Sequence, residues 1–472
     1  MSDVFKNLNP GSHVHLMGIC GTAMASLAGI LQEMGYKVTG SDQNVYPPMS
    51  TQLEKLGIAI MQGYKKENLE PKPDLVIVGN VISRTMPEAE ALLASEIPYT
   101  SLPKAMGEVV ISGRHSLVVS GTHGKTTTTS MMAWVAEVCG RDPGFLIGGI
   151  PENFEKSFRK PRGEWFVIEG DEYDTAFFDK VPKFIHYKPE YVIVSSLEFD
   201  HADIYNNLED IKKAFRQLVE LVPPTGLIVA NADDKNVMDV VTSAKCRVVT
   251  YGINGGDYQA ADRAVMVGRN QFAVKTKEGR VADLAIKQFG PHNTLNALSV
   301  FALTRELGWP LGEVLQGLAT FKGVKRRQEI IGEPNGITVI EDFAHHPTAV
   351  KLTLATMKEV YPKRKVFAVF EPRSATSRRK VFQQDYIEAF KQADEVILSE
   401  PFDQSKIKEE DRFSSGDLVT SLMGAGVPSK VFQSADEIVE YLGVTAKPTD
   451  VILLMSNGAF GGIYGKLLSR LS

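Results

Sequence analysis

Val118-Val119-Ser120-Gly121-Thr122-His123-Gly124-Lys125-Thr126-Thr127-Thr128-Thr129 reads as a short apolar strand, a glycine turn and a run able to open a helix. Gly121 and Gly124 let the backbone pass close to a polyphosphate and turn N–H groups toward it, while Lys125 supplies a point charge. Thr126 or Thr127 can reach a magnesium ion held by the same phosphates. The stretch predicts a phosphate loop for ATP or GTP, set in a parallel α/β sheet. The general pattern Gly-x-x-x-x-Gly-Lys is shortened here to Gly121-x-x-Gly124-Lys125. The bland alternative is an ordinary strand–turn–helix junction.

Outward from the loop, apolar runs alternate with helical patterns along all 472 residues, the signature of α/β architecture. Residues 165–168, 191–194 and 226–229 read as strands, and each stops at a polar cluster. The clusters are Glu169-Gly170-Asp171-Glu172-Tyr173-Asp174, Glu198-Phe199-Asp200-His201 and Asn231-Ala232-Asp233-Asp234. Ligands of open α/β sheets bind beyond the carboxyl ends of strands, so these clusters fall where chemistry would sit. Residues 258–286 alternate as hairpin sequence, and a helix is predicted from about residue 294 to 307.

Upstream, residues 13–17 form a strand that turns at Gly18 into a small-residue helix over 23–34. Strands at 36–39 and 75–78 end at Gly40-Ser41-Asp42 and Gly79-Asn80, and residues 107–114 read as a linker. Downstream, strands at 338–340, 366–370, 395–398 and 451–454 precede the glycine-rich run from Ser456 to Gly462. The expected fold is α/β in three domains: a Rossmann-like domain over 1–111, a central phosphate-loop domain over 112–323, and a second Rossmann-like domain over 324–472.

Apolar content of 43% and charged content of 23% fit a globular protein, and a net charge of −5 argues against a broad nucleic-acid surface. No apolar run approaches the ~18 residues of a membrane span, and the start lacks the apolar core of a secretory signal. The three cysteines, Cys20, Cys139 and Cys246, have neither metal spacing nor an even count for a disulfide framework. A cytoplasmic protein is expected.

Four further groups carry chemistry. Gly18-Ile19-Cys20-Gly21-Thr22-Ala23-Met24 offers a helix N-terminus to a pyrophosphate, with Asp42 ending the next strand where a ribose hydroxyl would be reached. Cys20 and Ala23 stand where a dinucleotide fingerprint needs glycine. Glu169, at a strand end, suits magnesium better than a solvated turn, and His201 is a candidate partner. His292-Asn293-Thr294-Leu295-Asn296 puts two amides on one helical face able to read a purine edge, although capping also explains Asn293. Arg326-Arg327 could bracket a γ-phosphate or be plain surface charge, and Asp342-Phe343-Ala344-His345-His346-Pro347 follows a strand with a cluster unlike a core.

Together these pieces resemble the Mur ligases, the ATP-dependent amide-forming enzymes of bacterial cell-wall synthesis. Gly121-Thr122-His123-Gly124-Lys125-Thr126-Thr127 looks like that family's shortened loop, and the other motifs occur in its order. The resemblance implies ATP as co-substrate, bound by residues 121–127, Asn293, Asn296, Arg327, Asp342 and His346. It implies Mg2+ at Thr126, Thr127, Glu169 and His201, with catalysis by Lys125, Glu169, His201, Arg327 and Asp342. UDP-N-acetylmuramate is expected at Gly18, Ile19, Cys20, Gly21, Thr22, Asp42, Asn80 and Ser83. Glu371-Pro372-Arg373-Ser374, with the two other variant motifs, resembles members that add the murein tripeptide L-alanyl-γ-D-glutamyl-meso-diaminopimelate during wall recycling. Arg373, Ser374, Arg378 and Arg379 are then expected to meet its carboxylates, and the enzyme is expected to work as a monomer or homodimer. Phe215 stands where many family members carry a carbamoylated lysine. The nearest alternative is an enzyme adding L-alanine; more distant are a nucleotide-dependent oxidoreductase and a regulatory nucleotide switch.

Overall fold

The computed structural model describes residues 3–5, 8–45, 49–200, 202, 204–266 and 268–472. Three large sheets organise it, and Asp174–Ala176 pairs with Asp179–Pro182 in a separate two-stranded sheet. The first, five-stranded and wholly parallel, runs in the order Ala59–Gln62, Lys37–Asp42, His13–Met17, Leu75–Val78, Tyr99–Ser101. Val14, Leu16, Val76 and Ile77 are buried on both of its faces, as a helix-covered parallel sheet requires.

The central sheet has ten strands. His115–Ser120, which delivers the phosphate loop, lies between Trp165–Gly170 and Tyr191–Val194, parallel to both. Its carboxyl end is thus flanked by two other strand ends. Leu227–Asn231 and Arg247–Gly252 extend the parallel part, and the expected hairpin sequence adds Tyr258–Met266, Arg269–Thr276 and Gly279–Ile286 as an antiparallel flank. The helix Pro291–Glu306, one turn longer at its start than predicted, is apolar around most of its circumference because it lies inside the second core cluster.

The third sheet has six strands: Glu329–Gly332, Thr338–Asp342, Val451–Met455, Val366–Phe370, Glu395–Ser399 and Ser429–Phe432. The first is an antiparallel edge strand that sequence reading passed over.

Residues 107–114 are only partly a linker. Leu102–Ala105 continues into a π-helical turn, Met106–Ile111, whose Val110 and Ile111 are buried. Gly107 packs against the His186 carbonyl, where a Cβ would lie 1.9 Å from the oxygen. The first domain is therefore joined to the central one by a packed, helical passage.

A cleft between the three sheets

The carboxyl ends of the central strands open into a cleft of about 1830 Å³ whose wall draws on all three sheets. At its centre is the glycine turn. Gly121 (φ +138°) and Gly124 (φ +83°) occupy backbone regions that favour glycine. A Cβ on Gly121 would stand 2.2 Å from Ser195 Oγ, and one on Gly124 would stand 2.7 Å from Asn296 Oδ1. Neither position tolerates a side chain. The helix Lys125–Val138 then begins with four threonines, poor helix formers. Burial of Thr126 to Thr129, with the Thr129 hydroxyl bonded to the Lys125 carbonyl (2.8 Å), overrides that preference.

Lys125 is nearly buried and donates to the Gly121 carbonyl (2.7 Å) and to Glu172 (3.1 Å). Burial alone would lower its pKa, but the charges of Glu172, Asp171 and Glu169 outweigh it and leave the ammonium raised. Glu169 lies beside it, accepting from the Thr126 hydroxyl (3.0 Å) and the Gly148 N–H (2.5 Å). Burial, helped by Asp171, pushes this carboxyl up to about 7 against those hydrogen bonds and Lys125. A hydroxyl and a carboxylate, adjacent and at the mouth of the phosphate loop, are hard oxygen donors that fit Mg2+.

Arg327 arrives from the third sheet's side. Its guanidinium lies 4.3 Å over the Phe343 ring and reaches the Thr126 hydroxyl at 3.5 Å. Its neighbours Arg326 (φ +64°) and Gln328 (φ +53°) both hold left-handed backbone, a strain of about 1–3 kcal/mol each that the surroundings must sustain. Asp342 supplies part of that support, accepting from the N–H groups of Gln328 (2.9 Å) and Ala344 (2.7 Å). Burial raises the Asp342 carboxyl and lowers the Arg327 guanidinium.

A second cluster borders the loop. His123 Nε2 lies 3.2 Å from Glu198 Oε2, which also accepts from the Thr348 hydroxyl (2.7 Å). Burial alone would raise Glu198, but the His123 and Thr348 bonds hold it at about 2. His346 is buried, faces His123 with ring centroids 4.9 Å apart, and is pushed down to about 4 by burial and by His123. On the adjoining wall the Asn296 amide donates to Asn293 (3.1 Å), and His292, brought down to about 4 chiefly by burial, stands 3.1 Å from the Gln328 amide.

At the other end of the cleft is the turn of residues 18–22. Asp42 accepts from the Cys20 N–H (2.9 Å), and Gly18, Cys20, Gly21, Thr22 and Asn80 line the wall. Ile19 is instead fully buried beneath the turn, and Ser83 lies outside the wall, 3.2 Å from the Thr85 hydroxyl. Arg373, Ser374, Arg378 and Arg379 also lie outside it. Arg373 stacks 3.8 Å from the Phe402 ring and pairs with Glu371 (3.4 Å), while Ser374 and Ser377 bond each other. His201 lies outside the described residues; its neighbour Asp200 accepts from Thr376 (2.7 Å), tying the central domain to this part of the third.

Lys183, which pairs with Asp171 (3.1 Å), and Gln328 were missed as cleft residues. Lys183 directly follows the short strand Asp179–Pro182 and Gln328 directly precedes Glu329–Gly332, and neither strand carries an apolar run that would mark it in the sequence. Phe215 is fully buried against Phe184, and Lys212 turns instead to Asp239 (3.0 Å).

Three family models match the chain: residues 13–114 the Mur ligase family, catalytic domain; 119–304 the Mur ligase middle domain; and 326–458 the Mur ligase, glutamate ligase domain. The chain is 42% identical over 461 residues to the UDP-N-acetylmuramate–L-alanyl-γ-D-glutamyl-meso-2,6-diaminoheptandioate ligase of Escherichia coli, covering 97% of this chain and 98% of that protein. It is 33% identical to the UDP-N-acetylmuramate–L-alanine ligase of Clostridium perfringens, with 97% of each covered. Among solved structures, a murein peptide ligase from Psychrobacter arcticus superposes with a TM-score of 0.73 at 37% identity, covering 98% of this chain and 99% of that one.

Proposed function

The chain belongs to the Mur ligase family, and from that premise we propose that it joins UDP-N-acetylmuramate to the tripeptide L-alanyl-γ-D-glutamyl-meso-diaminopimelate at the expense of ATP. The observation that carries the reading is the meeting of the shortened phosphate loop, the buried Glu169 and the third-domain Arg327 in one cleft that also reaches the turn of residues 18–22. Identity is higher to the tripeptide-adding relative than to the alanine-adding one, which favours the longer acceptor.

A carboxylate resists attack by an amine, so it must first be activated. In the proposed sequence a muramate carboxylate oxygen takes the γ-phosphoryl group of ATP and ADP leaves. The peptide's α-amine then attacks the acyl carbon, loses a proton, and expels phosphate as the amide forms. Several anionic oxygens converge, so fixed positive charge carries most of the rate. Lys125 would exchange Glu172 for the transferring phosphoryl group, and Arg327 would approach it from the opposite wall. Thr126, with Thr127 and His201, and Glu169 would hold Mg2+, which when bound neutralises phosphate charge. Asn293, Asn296 and His346 would line the nucleotide's path. Gly18, Cys20, Gly21, Thr22, Asp42 and Asn80 would hold the UDP-sugar, and Arg373, Arg378 and Arg379 the peptide carboxylates. Domains over 1–111, 112–323 and 324–472 would close on one another to exclude water from the acyl phosphate. The enzyme is proposed to act in the cytoplasm, as a monomer or homodimer; no helix among the described residues is long and apolar enough to cross a membrane.

Phosphate release decides the acceptor. With ATP, Mg2+ and UDP-N-acetylmuramate present, the tripeptide should drive release at least about tenfold faster than L-alanine. Faster release with L-alanine would reassign the acceptor, and equal release with neither acceptor present would point to a nucleotide switch.

A further inference from the structure

We propose that His123, Glu198 and His346 form a site for a divalent transition-metal ion that clasps the third domain to the phosphate loop. It goes beyond the proposed ligase reading, which gives His123 and His346 to the nucleotide, gives Glu198 no role, and places Mg2+ on other donors. Among the described residues these three side chains each bring one donor atom to within 4.8 Å of the other two. They come from three separate elements: His123 from the glycine turn, Glu198 from beyond Tyr191–Val194, and His346 from the N-cap of Pro347–Val360.

The spacing fits an ion. Donors about 2.0–2.1 Å from a tetrahedral zinc-like centre stand roughly 3.3 Å apart. Glu198 Oε2 is 3.2 Å from His123 Nε2 and 3.7 Å from His346 Nδ1. All three donor atoms lie within 4.8 Å of one another, a spread that small side-chain rotations bring to the ideal edge.

The surroundings orient the donors as outer partners of a metal do. His346 Nε2 lies 3.2 Å from the Phe199 carbonyl. A carbonyl only accepts, so the proton is on Nε2 and Nδ1 carries the lone pair, 3.7 Å from Glu198 Oε2. That lone pair also receives the Thr348 N–H at a long 3.3 Å, a contact the ion would displace. The Thr348 hydroxyl donates to the same Oε2 at 2.7 Å, leaving this oxygen one further acceptor direction. At present the His123 ring occupies it; the ion would take the place of that ring proton.

The donor chemistry selects the ion. Two imidazoles and one carboxylate favour Zn2+, Co2+ or Ni2+ over Mg2+, which takes oxygen ligands and keeps its waters. Three protein donors leave a fourth position for water. Because His346 belongs to the third domain and His123 to the loop, a bound ion favours the arrangement in which the two domains touch.

Cobalt reports the site directly. Titrating Co2+ into the full-length, tag-free protein without nucleotide or Mg2+ should give one equivalent of binding and a visible absorption band of low-coordinate cobalt. One equivalent of Zn2+ should displace it, and millimolar Mg2+ should not. Glu198→Gln and, separately, His123→Gln should each weaken Co2+ binding at least about tenfold. His123 is the more exposed imidazole of the two, so this second variant removes one donor without cutting into the buried His346 side chain. No band, a band persisting in both variants, or displacement by Mg2+ would overturn the proposal. Loss of amide synthesis leaves this binding measurement unaffected, so the two readings fail separately.

Discussion

The turn of residues 18–22 and the turn of residues 121–127 share one plan, a parallel strand passing through glycine into a helix N-terminus, yet they are backed differently. Behind the first, the Ser41 carbonyl accepts from the N–H groups of Gly18 (2.8 Å) and Ile19 (3.1 Å), and Asp42 accepts from Cys20. Beneath them the Glu88 carboxylate, fully buried, takes His15 (2.8 Å), the Ser41 hydroxyl (3.0 Å) and the Asn68 amide (2.9 Å). No cationic side chain belongs to this turn. Behind the second stand Lys125 and the carboxylates of Glu169 and Glu172, with Arg327 opposite. A helix N-terminus suffices to hold a diphosphate. Moving a phosphoryl group requires charges able to change partners, and only the second turn has them.

Lys125→Ala should lower turnover at least about a hundredfold, the scale of losing one charge-stabilising contact; a loss under tenfold in folded protein would remove its assigned role. Next comes Asp42→Ala, which strips the acceptor from the Cys20 and Asn44 N–H groups. A charged hydrogen bond of about 1.5–3 kcal/mol predicts a rise of roughly 20-fold in the KM for the UDP-sugar with that for ATP unchanged. Equal rises in both would mean the two turns are coupled rather than separate.

The third test uses pH. A Glu169 carboxyl near 7 is protonated below that value, and Mg2+ needs it ionised. Mg2+ affinity should therefore fall about tenfold from pH 8 to pH 6, while affinity for the UDP-sugar stays flat; isothermal titration of each ligand separates them. The smallest effect is expected for Glu88→Gln. The amide cannot accept from Asn68 and keep its oxygen on His15, so the KM for the UDP-sugar should rise about two- to fivefold without a change in kcat. A fall in kcat instead would place the buried network behind the chemistry rather than behind the first turn.

Much of the site was legible because strand ends are local events. Lys125, Glu169, Asn293 and Asn296 could be picked out from glycine turns, apolar runs and helical spacing, and the structure gathers them in one cleft. Lys183 was not legible, since nothing near it in sequence says that Asp171 will be its partner. Ile19 sits within the first glycine motif but is core, because a side chain in the middle of a tight turn can point beneath it. Residues 107–114 read as a linker, while Gly107 is there to let the chain pass the His186 carbonyl.

The alternation of strand and helix, the glycine turn at Gly121 and Gly124, and the apolar strands that deliver polar clusters to one end of each sheet are written in the order of the residues alone. Those properties depend on near neighbours and on side-chain period. Which charges meet, and in what protonation state, is settled by packing. Arg327 reaches Thr126 across 201 residues, Glu169 is raised to about 7 by burial that no local pattern encodes, and His123 meets His346 only because two sheets face each other. Coulomb forces and desolvation act through space, so their outcome waits on the packing that sets the distances.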